Sequence, residues 1–236
     1  MATISSAAQN ISVQQERLVK RAQGLKRLII SVQTAVRGAP SSQALLLQEA
    51  RAAAIVGIVA ELESLTRTAL TELHQHINDA GVPISTIAAC LRQLAAHDEF
   101  ESLRTLQDAT KVWEKRAFAT SMDRQQRGAN LPLPRRGPLP PMDGRTPTPG
   151  LYSRIWAVYG LHREVFPVAS WSASIQKLSG LRNDVAHGNL PIYQIFQQPA
   201  VDVPDIERYI DDVEAFASHF VATITDYIDT KLYLIR

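Results

Sequence analysis

Cysteine is almost missing from this chain: Cys90 is the only one in 236 residues. A disulfide framework within the chain is therefore excluded, as is a Cys/His zinc constellation. Cys90 falls in the apolar run Ile87-Ala88-Ala89-Cys90-Leu91, a setting for buried filler rather than for a nucleophile. Long apolar runs are missing too, and none approaches the roughly 20 residues that span a bilayer. The opening Met-Ala-Thr-Ile-Ser-Ser has no charged region followed by an apolar one, so no secretory signal and a cytoplasmic location are expected. A net charge of only +2 does not describe a generic polyanion binder. There is no glycine-rich phosphate loop, no Ser/His/Asp set in a nucleophile-elbow context, no internal repeat and no useful length of strand alternation.

What is present is apolar residues at helical spacing. They supply 45% of the chain, ample for a sizeable core. Residues 5–37 place Ile11, Leu18, Ala22, Leu25, Ile29, Val32 and Val36 on one narrow stripe. This segment is basic, with Arg17, Lys20, Arg21, Lys26, Arg27 and Arg37 against Glu16 alone. Residues 201–236 are its acidic counterpart, with eight carboxylates against Arg208, Lys231 and Arg236. Packed together the two ends neutralise each other; held apart, the first helix offers a basic face to nucleic acid. The spacing predicts an all-α bundle of six or seven helices: a basic amphipathic helix over 1–40, then a bundle over 41–236 with an insertion at 128–150.

A second helix runs to about Asp79 and is stopped by Gly81-Val82-Pro83. Ser85 is a start signal for a short helix to about His97, and Asp98 for another to about Arg127. Residues 128–150 hold seven prolines and four glycines, which predicts an extended or mobile loop rather than a core element. Arg135 and Arg136 there suit either a solvated insertion or a grip on single-stranded RNA. Tyr152, Trp156, Tyr159 and His162 then stripe a helix over Leu151 to Phe166. A further helix follows from about Ser170. Asp202 and Asp205 make an acidic start for the last helix, which runs to about Leu234.

One stretch carries chemistry: Leu181-Arg182-Asn183-Asp184-Val185-Ala186-His187-Gly188. Gly188 and Pro191 stop a helix there, so His187 sits in or just after its last turn. Arginine is a fixed cation that holds phosphate oxygens, and histidine is the residue type suited to moving a proton near neutral pH. The pair suggests phosphodiester chemistry without a metal. Five positions along a straight helix turn Arg182 about 140° from His187, so they converge only if the helix end unwinds or the arginine wraps round. Arg92 with His97, and Arg67 with His74, are rival pairs at similar gaps. Asn183 directly after the arginine and Gly188 directly after the histidine separate 182–187 from both.

Arg182-Asn183, three residues, His187-Gly188, before an acidic C-terminal helix, resembles the motif of the HEPN superfamily (higher eukaryotes and prokaryotes nucleotide-binding). The whole-chain pattern looks most like its RiboL-PSP-HEPN branch, over roughly Glu49 to Tyr233. The resemblance implies a dimeric helical bundle acting as a metal-independent endoribonuclease, a toxin or antiviral defence effector that needs no cofactor. It assigns catalytic roles to Arg182, Asn183 and His187, and a supporting one to Glu63, whose Leu62-Glu63 matches a Leu-Glu pair facing the motif helix. Glu63 equally suits an ordinary i,i+4 pair with Arg67. The implied partners are an RNA substrate, a second copy, and an antitoxin or defence-system protein, with no membrane. The toxin branch carries a tyrosine two residues after the histidine; Asn189 stands there, which puts regulation at that tyrosine in doubt. A non-catalytic HEPN-like dimerisation or nucleotide-binding module that regulates a partner remains the alternative reading.

Overall fold

Apolar residues recurring every three or four positions fold this chain into α-helices around a shared core. The computed structural model describes residues 5–38, 41–134, 139–142, 144, 146–188, 191–196 and 201–235, the side chains of 41–44 excepted. Helix α1 (Ser6–Ala35) opens where the Ser5 hydroxyl accepts the Ala8 amide, 3.2 Å away. Its stripe, from Ala7 and Ile11 to Ile29, is buried against α2 (Ser41–Asp79) and α10 (Val203–Asp229). The first helix therefore contributes to the same core as the rest. Polar ties run alongside: Gln14 to Ser64 at 3.0 Å, and Arg17 to Glu61 at 3.3 Å. Lys26 reaches Asp211 and, at 3.9 Å, Glu214. The basic start and the acidic end thus meet at Lys26, while Arg27 turns back to its own helix and donates to the Gln23 carbonyl.

The middle of the chain is more broken than its spacing suggests. Ser85 lies in a 3-10 turn (Ile84–Thr86), and α3 begins only at Ala89, running to Ala95. The helix expected over 98–127 is three helices: α4 (His97–Thr105), α5 (Ala109–Thr120) and α6 (Met122–Gln126). The breaks fall where side chains take over backbone donors. Asp108 accepts from the amides of Thr110 and Lys111, and Ser121 from that of Arg124. With the one-turn α9 (Ile192–Ile195), the described residues form ten helices and no strand, an all-α bundle as expected with more helices than the six or seven read from spacing.

Helix α7 (Pro149–Tyr159) starts under a Thr148 cap and ends at Gly160, short of the predicted Phe166. Gly160 is left-handed (φ +63°), and a Cβ there would sit 2.9 Å from Cys90 Sγ, so glycine alone closes this corner. The last helix likewise stops early, at Asp229, but opens on a full capping box between Asp202 and Asp205.

The proline-rich segment corrects the expectation of a loop outside the core. Ala129, Leu131, Leu139 and Met142 are buried in it. Extended, proline-rich backbone forms few hydrogen bonds of its own, here Met142 N–H to the Leu139 carbonyl, and helix side chains take other carbonyls. Asn78 Nδ2 donates to the Leu131 carbonyl at 3.0 Å and its Oδ1 accepts the Leu131 amide at 2.6 Å. His74, fully buried, has Nδ1 2.6 Å from the Pro132 carbonyl and Nε2 2.6 Å from the Tyr159 hydroxyl. A carbonyl only accepts, so Nδ1 carries the proton and Nε2 receives the Tyr159 hydrogen. The described residues between 128 and 148 thus form a strap across the bundle.

Burial of the imidazole lowers the pKa of His74 from 6.5 to about 4, against the opposing pull of the Pro132 carbonyl. The unfolded chain takes up this proton below pH 6.5 and the folded chain only near pH 4. Stability from this site is complete above pH 6.5 and falls by roughly 3 kcal/mol on acidification to about pH 4. Denaturant melts across that window should show a steeper loss for the native chain than for His74→Gln. Equal slopes would contradict the assignment.

Candidate functional site

Helix α8 (Ala169–His187) turns Ser174, Ile175, Leu178, Ser179 and Leu181 into the core. It stays α-helical through His187 and ends on Gly188, which is left-handed (φ +62°). The end does not unwind, so the first of the two routes by which Arg182 and His187 could converge is closed. Arg182 Nη1 donates to the adjacent Asn183 Oδ1 at 3.2 Å. Asn183 and His187 are four positions apart and share one face. Arg182 and Asn183 are half-buried and His187 is exposed. Arg182 and Asn183 are thus in contact within the last two turns of α8, and His187 lies one turn on from the amide.

Two residues that spacing did not single out hold this end. Thr146 donates its hydroxyl to the same Asn183 Oδ1 at 3.2 Å. Ser179, buried one turn back, donates to the Pro147 carbonyl. Both contacts tie the strap to α8 across more than thirty residues of sequence, and no local pattern announces them. Beside them, Lys177, Gly180 and Asp184 line a hollow of about 440 Å³ closed on one side by Ile195 of α9.

The remaining candidates lie elsewhere. Glu63 forms an ion pair with Arg67 at 2.6 Å, so its carboxylate serves its own helix. Among the described residues Arg182 has no ion pair with any carboxylate; its recorded contact is with the neutral Asn183 amide. Arg135 and Arg136 lie outside the described residues. Neither rival pair forms a site: Arg92 donates to the carbonyls of Ser85 and Ile87, and His74 is buried under the strap. Among the described residues no group of three His, Cys, Asp or Glu side chains is placed to hold a metal ion. No helix is long and apolar enough to cross a membrane, again among the described residues.

A family model described as MAE_28990-like HEPN matches residues 12–233. The chain belongs to this HEPN family. The match takes in most of α1, which the resemblance starting near Glu49 left out, and it leaves the RiboL-PSP placement aside. No curated protein and no solved structure matches the chain. HEPN membership points to a nuclease or RNA-binding function.

The ties to the strap set the expected cost of loosening the C-terminal half of α8. Ser179→Ala leaves the buried Pro147 carbonyl without its donor and should cost about 1–3 kcal/mol in urea unfolding. Thr146→Val, at a half-buried hydroxyl, should cost less, about 1 kcal/mol or below. The reverse order would show that the strap is not held at Ser179.

Proposed function

We propose that this chain is a metal-independent endoribonuclease, a toxin or defence effector, whose working site is built from two copies of the α8 terminus. The observation that supports the reading is the Arg182–Asn183 contact near the end of α8, with an exposed His187 one turn on from Asn183. In this reading the RNA 2′-hydroxyl gives its proton to one His187 imidazole and attacks the adjacent phosphorus. The bond from phosphorus to the 5′-oxygen breaks, and the second copy's imidazole protonates that oxygen. Arg182 holds the non-bridging oxygens as charge builds on them, and Asn183 keeps the guanidinium in place. Products are a 2′,3′-cyclic phosphate and a 5′-hydroxyl end. A two-fold axis beside α8 would supply one acid and one base from a single motif. The basic face of α1, together with Arg135 and Arg136, is a candidate contact for the RNA beyond the cleavage point.

His187→Ala should lower the cleavage rate on labelled RNA by about 10²–10⁴ and Arg182→Ala by about 10²–10³, with the dimer unchanged on sedimentation. Addition of a chelator should leave the native rate where it was, and end-group analysis should find the cyclic phosphate. Cleavage that survives both substitutions removes the nuclease reading. An intact dimer that binds RNA without cutting it identifies a non-catalytic module instead.

A further inference from the structure

Away from α8, helices α4 and α5, which pack on each other, bury no residue at all. They and the start of α6 hold large apolar side chains in solvent: Phe100 is 54% exposed, Trp113 66% and Met122 72%. Helices of nine and twelve residues are marginal in water without a packed face. A hollow of about 480 Å³ opens among α3, α4, α5 and α6, and Ala95, Phe100, Leu103 and Ala119 are among its lining. Three arginines also line it, Arg92, Arg116 and Arg124, and no carboxylate does.

Only one of these three cations is met by an acid. Glu99 takes Arg124 at 2.8 Å. Arg92 donates to backbone carbonyls, Ser85 at 3.0 Å and Ile87 at 3.3 Å. Arg116 lies over the Trp113 ring, 4.9 Å from its centroid. Neither Arg92 nor Arg116 has an ion pair with a carboxylate among the described residues. The wider surface does not favour a polyphosphate, because residues 97–127 carry six acids and six bases. A guanidinium also lies over Trp113 and over Phe118, so each ring has a face already covered to a stacking base.

We propose that this groove receives an amphipathic helix of a partner protein, with large apolar side chains in the hollow and carboxylates against Arg92 and Arg116. Apolar lining, unmet arginines and two helices without a buried face match that mode of recognition, in which anchors recur at i, i+4 and i+7. The inference is independent of the chemistry assigned to Arg182 and His187.

The test is a displayed library of helical peptides selected on the full chain. Enriched peptides should carry apolar residues at helical spacing flanked by Asp or Glu. The tightest, resynthesised with a fluorescent label, should bind saturably to the native chain. Phe100→Asp should abolish that binding, and Arg116→Glu should weaken it roughly tenfold while strengthening the lysine-for-glutamate version of the peptide. Both positions are exposed, so unchanged thermal melts verify the fold of the variants. No enrichment, enrichment without charge preference, or binding that Phe100→Asp leaves intact would overturn the proposal. So would a labelled oligouridylate whose binding Phe100→Asp abolishes, or a dimer that the same substitution splits; these would make the surface an RNA platform or a self-interface.

Discussion

The amide oxygen of Asn183 is the point on which the candidate site depends. It accepts a hydrogen bond from Arg182 on one side and from Thr146 on the other. A regular helix would hold Arg182 and His187 on different sides, and α8 is regular up to Gly188. Asn183 accepts from Arg182 and sits four positions before His187, so its amide is placed between the two in the motif. Asparagine suits this task better than aspartate: it accepts from arginine without cancelling the charge that a phosphate would need.

The position of that amide depends in turn on the strap. An extended run of prolines cannot satisfy its own carbonyls, so it is held wherever a helix presents a donor. His74, Asn78 and Ser179 are such donors, and Leu131, Leu139 and Met142 are the apolar anchors between them. One end of the strap is fixed at the buried His74 and the other at α8. Packing in the core thereby determines how firmly the terminus of α8 is presented to solvent, although the terminus itself contributes little buried surface.

The all-α class and the long helices α1, α2, α8 and α10 were legible because their apolar spacing is sustained over many turns. The helices between residues 85 and 127 were not, since Asp108 and Ser121 cap new helices by side-chain contacts that apolar spacing does not record. The strap was misread for a related reason. Proline content announces an extended backbone, but whether that backbone is buried rests on His74 and Asn78, more than fifty residues earlier. At the site, Arg182, Asn183 and His187 stood out by residue type and order. The Arg182–Asn183 contact and the ties from Thr146 and Ser179 carried no local signal. Glu63 shows the converse: an apparent partner for Arg182 in sequence, it is engaged one turn along its own helix.

The account stands on an imidazole that moves a proton from an open position at the end of α8. Chemical rescue tests this most directly. Single-turnover RNA cleavage by His187→Ala is measured with rising concentrations of free imidazole. His187 is exposed and followed by glycine, so the vacated space is reachable by a small base. Activity that returns in proportion to the imidazole added is the predicted result. Activity that is lost in the variant and stays lost at every imidazole concentration, in a chain that still folds and dimerises, would contradict the role given to His187.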